Sequence, residues 1–134
     1  IAYKSPKDYA GEFEHYTGVN LLESPIFHKY IELKATRDIH IHNGGIANDI
    51  YLAKAGVSAR VKSGEYLPVT IQYFLSSYEQ CLQLNEVLES ELDKIWPSEE
   101  LRKRRESNTT LIKKDVVEQV IEESKKSQSE EKTA

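Results

Sequence analysis

The stretch Arg37-Asp38-Ile39-His40-Ile41-His42, closed by Asn43-Gly44-Gly45, puts a guanidinium, a carboxylate and an imidazole within a short length of chain. An imidazole can take and return a proton near neutral pH. A guanidinium presents a planar fork of donors that holds a phosphate and spreads the charge of a pentacoordinate phosphorane. Arg37 and His42 together therefore suit phosphodiester chemistry that uses no metal and calls for no cofactor. Asp38 stands between them as a third candidate.

The element that must position these groups starts at Ser24-Pro25, an N-cap followed by proline at the first helical position, and runs unbroken from Ile26 to His42. Asn43-Gly44-Gly45 ends it. On a helical wheel Ile26, Phe27, Tyr30, Ile31, Leu33, Ala35, Ile39 and Ile41 cover more than half the circumference, which predicts a helix in the middle of a bundle. Lys29, Glu32, Thr36 and His40 form the remaining strip, expected to face solvent. Arg37, Asp38 and His42 fall inside the apolar arc. Unpaired buried charge is costly, so these three must pair, cap a backbone or face a cleft. The plain structural alternative is an Arg37–Asp38 ion pair with His42 capping the helix end. The functional one notes that both cationic candidates lie in the last turns, where the negative end of the helix dipole favours positive charge.

Around this element the periodicity predicts further helices. Ser5-Pro6 opens a short amphipathic helix with Tyr9, Phe13 and Tyr16, stopped by Gly18. Ile46 to Ala55 can form another, presenting Ile46, Ile50 and Tyr51 on one side before Gly56. Val57, Ala59 and Val61 alternate with polar residues ahead of Ser63-Gly64, which fits a small hairpin or an extended loop. From Val69 to Trp96 the set Phe74, Tyr78, Cys81, Leu82, Leu88, Leu92 and Ile95 keeps the helical period over the longest stretch. The fold class is all-α: a bundle of four to five helices over residues 1–96. Pro97 marks a boundary, and residues 97–134 form a charged extension with an amphipathic helix near 109–124 and an end expected to be disordered.

With 134 residues and 39% hydrophobic content the chain supports one modest core. It carries no apolar run of membrane-spanning length and no secretory signal, so a soluble cytoplasmic protein without a membrane partner is expected. Its one cysteine, Cys81, falls in an apolar repeat and reads as a core thiol. The chain starts at Ile1 and has no methionine, so its true start is expected upstream. The net charge of −4 disfavours a broad nucleic-acid-coating surface but leaves room for a local basic cleft. Lys54, Arg60 and Lys62 follow the motif closely and, with Asn43, are the candidates to line such a cleft and bind substrate.

Arg37, a polar Asp38, three further residues and His42, continued by Asn43-Gly44-Gly45-Ile46-Ala47-Asn48-Asp49-Ile50-Tyr51-Leu52, resemble the signature of the HEPN superfamily over roughly residues 9 to 96. The resemblance implies a helical bundle that pairs with a second copy, so that two motifs meet across a two-fold cleft. It also implies a metal-independent endoribonuclease: the histidine does acid–base work and the arginine holds the scissile phosphate while the 2'-hydroxyl attacks. Toxin or phage-defence roles follow, with RNA as substrate and an antitoxin as a possible protein partner. Other members are inactive RNA-binding or protein-interaction modules. Asp38 stands where asparagine is more frequent, and the usual opening helix of the bundle is absent or shortened here.

Two further readings compete. His40 and His42, two apart, would face one ion on a strand, but only His15 and His28 add further imidazoles. Alternatively the bundle and the apolar set from Leu111 to Ile121 bind another chain with no chemistry. The run Arg102-Lys103-Arg104-Arg105 could touch phosphates, although a solvated helix face is the commoner origin of such a run.

Overall fold

The computed structural model describes residues 4–133 and is all-helical, with five helices: α1 (Pro6–Thr17), α2 (Pro25–His42), α3 (Asp49–Ala55), α4 (Ile71–Ile95) and α5 (Glu99–Thr133). Ile1 and the side chains of Leu101, Arg105, Thr109 and residues 129–133 lie outside what is described. Local chemistry explains the ends of the helices. Ser5 caps α1 in a reciprocal box with Asp8, and Gly18, at φ 74°, closes it. Asn48 accepts the Tyr51 N–H at the start of α3, and Thr70 accepts the Tyr73 N–H at the start of α4.

Helix α2 is central and packs on both α3 and α4. Its first half joins Phe27 and Ile31 to Ala10, Leu21 and Leu84 in one core cluster. Its second half joins Ala35 and Ile39 to Ala47, Tyr51, Ala55 and Leu67 in another. Tyr51 and Leu67 are the largest fully buried side chains, and burying an apolar side chain of that size contributes about 1.5–3 kcal/mol.

Three expectations are corrected, on α3, α5 and α2, while the segment between α3 and α4 takes one of its two expected forms. Of the hairpin or extended loop expected between α3 and α4, the described residues form the extended loop, which a 3₁₀ turn at Gly56–Ser58 leads into. The loop pairs with the chain leaving α2: Ala47 N–H donates to the Glu65 carbonyl at 2.9 Å, Leu67 N–H to Gly45 at 2.8 Å, and Ile46 bridges Tyr66. Residues 45–47 are used in this pairing and Asn48 is the cap, so α3 begins only at Asp49, with Tyr51 buried and Ile50 turned outward. Helix α5 runs over Glu99–Thr133, where periodicity predicted only 109–124 and a disordered end. Glu100–Arg104 and Glu122–Lys126 pair along it, Lys113 reaches Glu79 of α4 at 2.8 Å, and Val116, Val117 and Val120 are half-buried.

The third correction concerns α2 itself. Glu32 and Thr36, expected on the solvent strip, are buried, while Ile41 of the apolar arc is largely exposed. Burial on this helix follows which neighbours bring polar partners, not the width of the apolar arc.

Candidate functional site

Glu32 is the centre of the buried polar cluster. Its Oε1 accepts from Thr36 Oγ1 at 2.7 Å, Tyr51 Oη at 2.9 Å and Arg60 Nε at 3.0 Å, and its Oε2 from Tyr73 Oη at 2.8 Å. Arg60 continues outward, with Nη1 donating to the Pro68 carbonyl at 2.8 Å and the guanidinium lying over the Tyr73 ring at 3.7 Å. Burial, then the neighbouring Glu32 carboxylate, raises the Tyr51 and Tyr73 hydroxyls above the ordinary tyrosine value, so both stay protonated donors. Arg60, a candidate for substrate binding, is thus committed to holding the loop onto α2, α3 and α4.

The motif residues occupy a different place. Arg37, Asp38, His42, Asn43 and Lys54 line one groove of about 460 Å³ between the end of α2 and α3, with Asn48 and Ile50 beside them. Of the outcomes open to a charge inside the apolar arc, Arg37 pairs and faces the groove: its side chain is 64% exposed, as is 51% of Lys54, and both reach the more enclosed Asp38. Arg37 Nη1 donates to Asp38 Oδ1 at 3.1 Å and Lys54 Nζ to Asp38 Oδ2 at 3.4 Å. Burial pushes the Asp38 carboxyl up, but hydrogen bonds and charge from Arg37 and Lys54 outweigh it and hold the group below its usual value. Asn43 caps the end of α2 and donates from Nδ2 to the Ile46 carbonyl at 2.5 Å. His42, in the last turn of α2, is exposed at the groove.

Lys62 does not line this groove; it is exposed, and its backbone N–H donates to Glu65 at 2.8 Å. Asn48 was not singled out by sequence, although an Asn-Asp pair ahead of a short helix is the signal of an N-cap that could have placed it. His40 also departs from expectation. It does not point to solvent: its Nε2 sits 2.7 Å from the Leu67 carbonyl, and its ring meets Tyr66 edge-on at 5.8 Å. Because 39–42 is helical, His40 and His42 leave α2 in different directions, which removes the geometry of the strand-type metal pair. Among the described residues no three His, Cys, Asp or Glu side chains converge as a metal ligand set.

Cys81 is half-buried and burial raises its thiol, as expected of a packing residue. Among the described residues no helix is long and apolar enough to cross a membrane. No known protein family, curated protein or solved structure matches the chain.

Proposed function

We propose that the chain is a metal-independent endoribonuclease of the HEPN type, in which His42 moves the proton of the attacking 2'-hydroxyl and Arg37 holds the scissile phosphate. The observation that carries this is the convergence of Arg37, Asp38, His42, Asn43 and Lys54 on one solvent-open groove. An exposed guanidinium with donors to spare and an imidazole on the same wall are the two groups that phosphoryl transfer to a neighbouring hydroxyl requires. The proposal includes a second copy docked on this face, so that two grooves meet as one composite site. Exposed Ile41, Ile46 and Ile50 close to the groove supply apolar surface for that contact. A toxin or phage-defence role, with an antitoxin as protein partner, is part of the same reading.

The test is cleavage of single-stranded RNA by purified protein in excess EDTA, with analysis of the ends. Cyclic phosphate products that vanish in His42→Ala support the proposal. Products that require added zinc, or intact cleavage by His42→Ala, sink it. Light scattering should show a dimer at micromolar concentration; a monomer at high micromolar concentration removes the composite site.

One observation favours a second reading, an inactive RNA-binding or protein-interaction module. Asp38 already occupies both cations of the groove at 3.1 and 3.4 Å, and an incoming phosphate must compete with it. A wild-type chain that never cuts RNA yet binds it, or binds a protein, would establish this alternative.

A further inference from the structure

Tyr9, Phe13 and Tyr16 recur at i, i+4 and i+7 along α1, which puts their rings on one stripe of the helix. The neighbouring helices do not cover this stripe, and Tyr9 and Tyr16 stay exposed. It walls a hollow of about 540 Å³ together with Phe27 and Tyr30 from the first half of α2 and Cys81 from α4. Ala10, Phe27 and Leu84 are buried and form the floor, while Tyr9, Tyr16 and Tyr30 form the rim. No residue of this hollow belongs to the motif groove at the other end of α2. Glu12 is the only lining residue charged at neutral pH, and it pairs with Lys4. Asn85 already donates to Glu89 at 3.0 Å. The three rim hydroxyls make no hydrogen bond among the described residues and are free to donate.

We propose that this hollow binds a neutral, largely apolar small molecule with a flat ring system, its rings among the aromatic side chains and an acceptor group at its open end taking a rim hydroxyl. Size selects this class. The volume lies inside the roughly 300–1,000 Å³ of small-molecule pockets. A single helical turn with its side chains, about 10–12 Å across and 5.4 Å tall, takes up roughly 420–610 Å³. A docked helix needs at least two turns to place anchors at i, i+3, i+4 and i+7, so the hollow is too small for one. An extended peptide is no better served, because the walls are helices whose backbone groups are paired within themselves and leave none for its N–H and C=O groups. Charge narrows the class further: the lining holds no cation for an anionic ligand, and Lys4 neutralises the one carboxylate that would draw a cation. Aromatic walls favour a ring, which meets them offset-stacked or edge-to-face. Neither the site nor its ligand depends on the ribonuclease reading.

The test is uptake of N-phenylnaphthylamine, an uncharged fluorophore that brightens in apolar surroundings, by the full chain. Binding should saturate at one probe per chain. Tyr9→Ser with Tyr16→Ser, at exposed positions whose change leaves the core intact, should raise its Kd about tenfold, the effect of two lost ring contacts. Cys81 is the only cysteine of the chain and lines the hollow, so its alkylation by N-ethylmaleimide reports occupancy without any substitution. Saturating probe should slow that alkylation several-fold, with half of the protection reached at the Kd of the probe. Uptake that does not saturate, alkylation that the probe leaves unchanged, or a Kd unmoved by the double change overturns the site. So does equal weakening by Ile41→Ser with Ile50→Ser, the exposed isoleucines near the motif groove. Displacement of the probe by tetramethylammonium, or tighter uptake of the anionic anilinonaphthalene sulfonate, overturns the neutral ligand in favour of a charged one. Uptake that falls as the chain self-associates at higher concentration overturns it in favour of a second copy on this face.

Discussion

Arg60 Nε lies 3.0 Å from the Glu32 carboxylate across 28 residues of sequence, and this pair fastens the loop after α3 to the central helix. Glu32 is 6% exposed at the side chain and Arg60 26%, so removing the cation strands a carboxylate that water cannot reach. Arg60→Ala is expected to cost about 3 kcal/mol, the low end for breaking a buried pair, because the tyrosine hydroxyls remain. Urea denaturation measures it. A loss below about 0.5 kcal/mol, the range of an ordinary surface change, would mean that the pair is solvated in solution.

The two tyrosines of the same cluster set an alkaline limit. Their folded pKa values are raised by burial and by Glu32, so the stability they contribute is fully present below the ordinary tyrosine value near 10 and is lost as pH rises through the higher folded values. Tyr51 and Tyr73 should ionise above the ordinary tyrosine value in an ultraviolet titration, with unfolding close behind. Tyr51→Phe and Tyr73→Phe should each remove one late step; a titration that neither substitution changes would contradict the cluster.

Asp38 behaves in the opposite sense. Its folded pKa is lowered, so its contribution to stability is present above the ordinary carboxylate value near 3.9 and is lost as pH falls through the folded one. Asp38→Asn should release Arg37 and Lys54 for phosphate and tighten RNA binding several-fold at low salt. Weaker binding in this variant would show that Asp38 positions the cations rather than competing for them.

Gly45 carries two constraints at once. It sits at φ 80°, and an added Cβ would come 2.5 Å from the Tyr66 ring and 3.0 Å from the His40 ring. Gly45→Ala is expected to cost about 1–3 kcal/mol, from the left-handed backbone and the crowding together. His40→Ala, which loses the contact to the Leu67 carbonyl, should lower the melting temperature and leave residual cleavage, whereas His42→Ala should leave the melting temperature and remove cleavage. Reversal of that pattern would exchange the roles of the two histidines.

Local sequence signals suffice for three of the helices and for the grouping of the motif at one helix end. Cap residues and the 3.6-residue period mark α1, α2 and α4 closely, and Arg37, Asp38, His42 and Asn43 share a groove because one helix end carries them all. Tertiary structure decided what each polar residue is for. Arg60 and Lys54 look alike in sequence, yet one is drawn to a buried Glu32 and the other reaches Asp38 at the groove. The apolar count on α2 could not show this, because whether Glu32 and Thr36 are buried depends on donors brought from α3, α4 and the loop. The ends of α5 were hidden for a related reason: outside 109–124 its residues are charged and polar and pair along the helix, as Glu100 does with Arg104, which leaves no apolar period to read there.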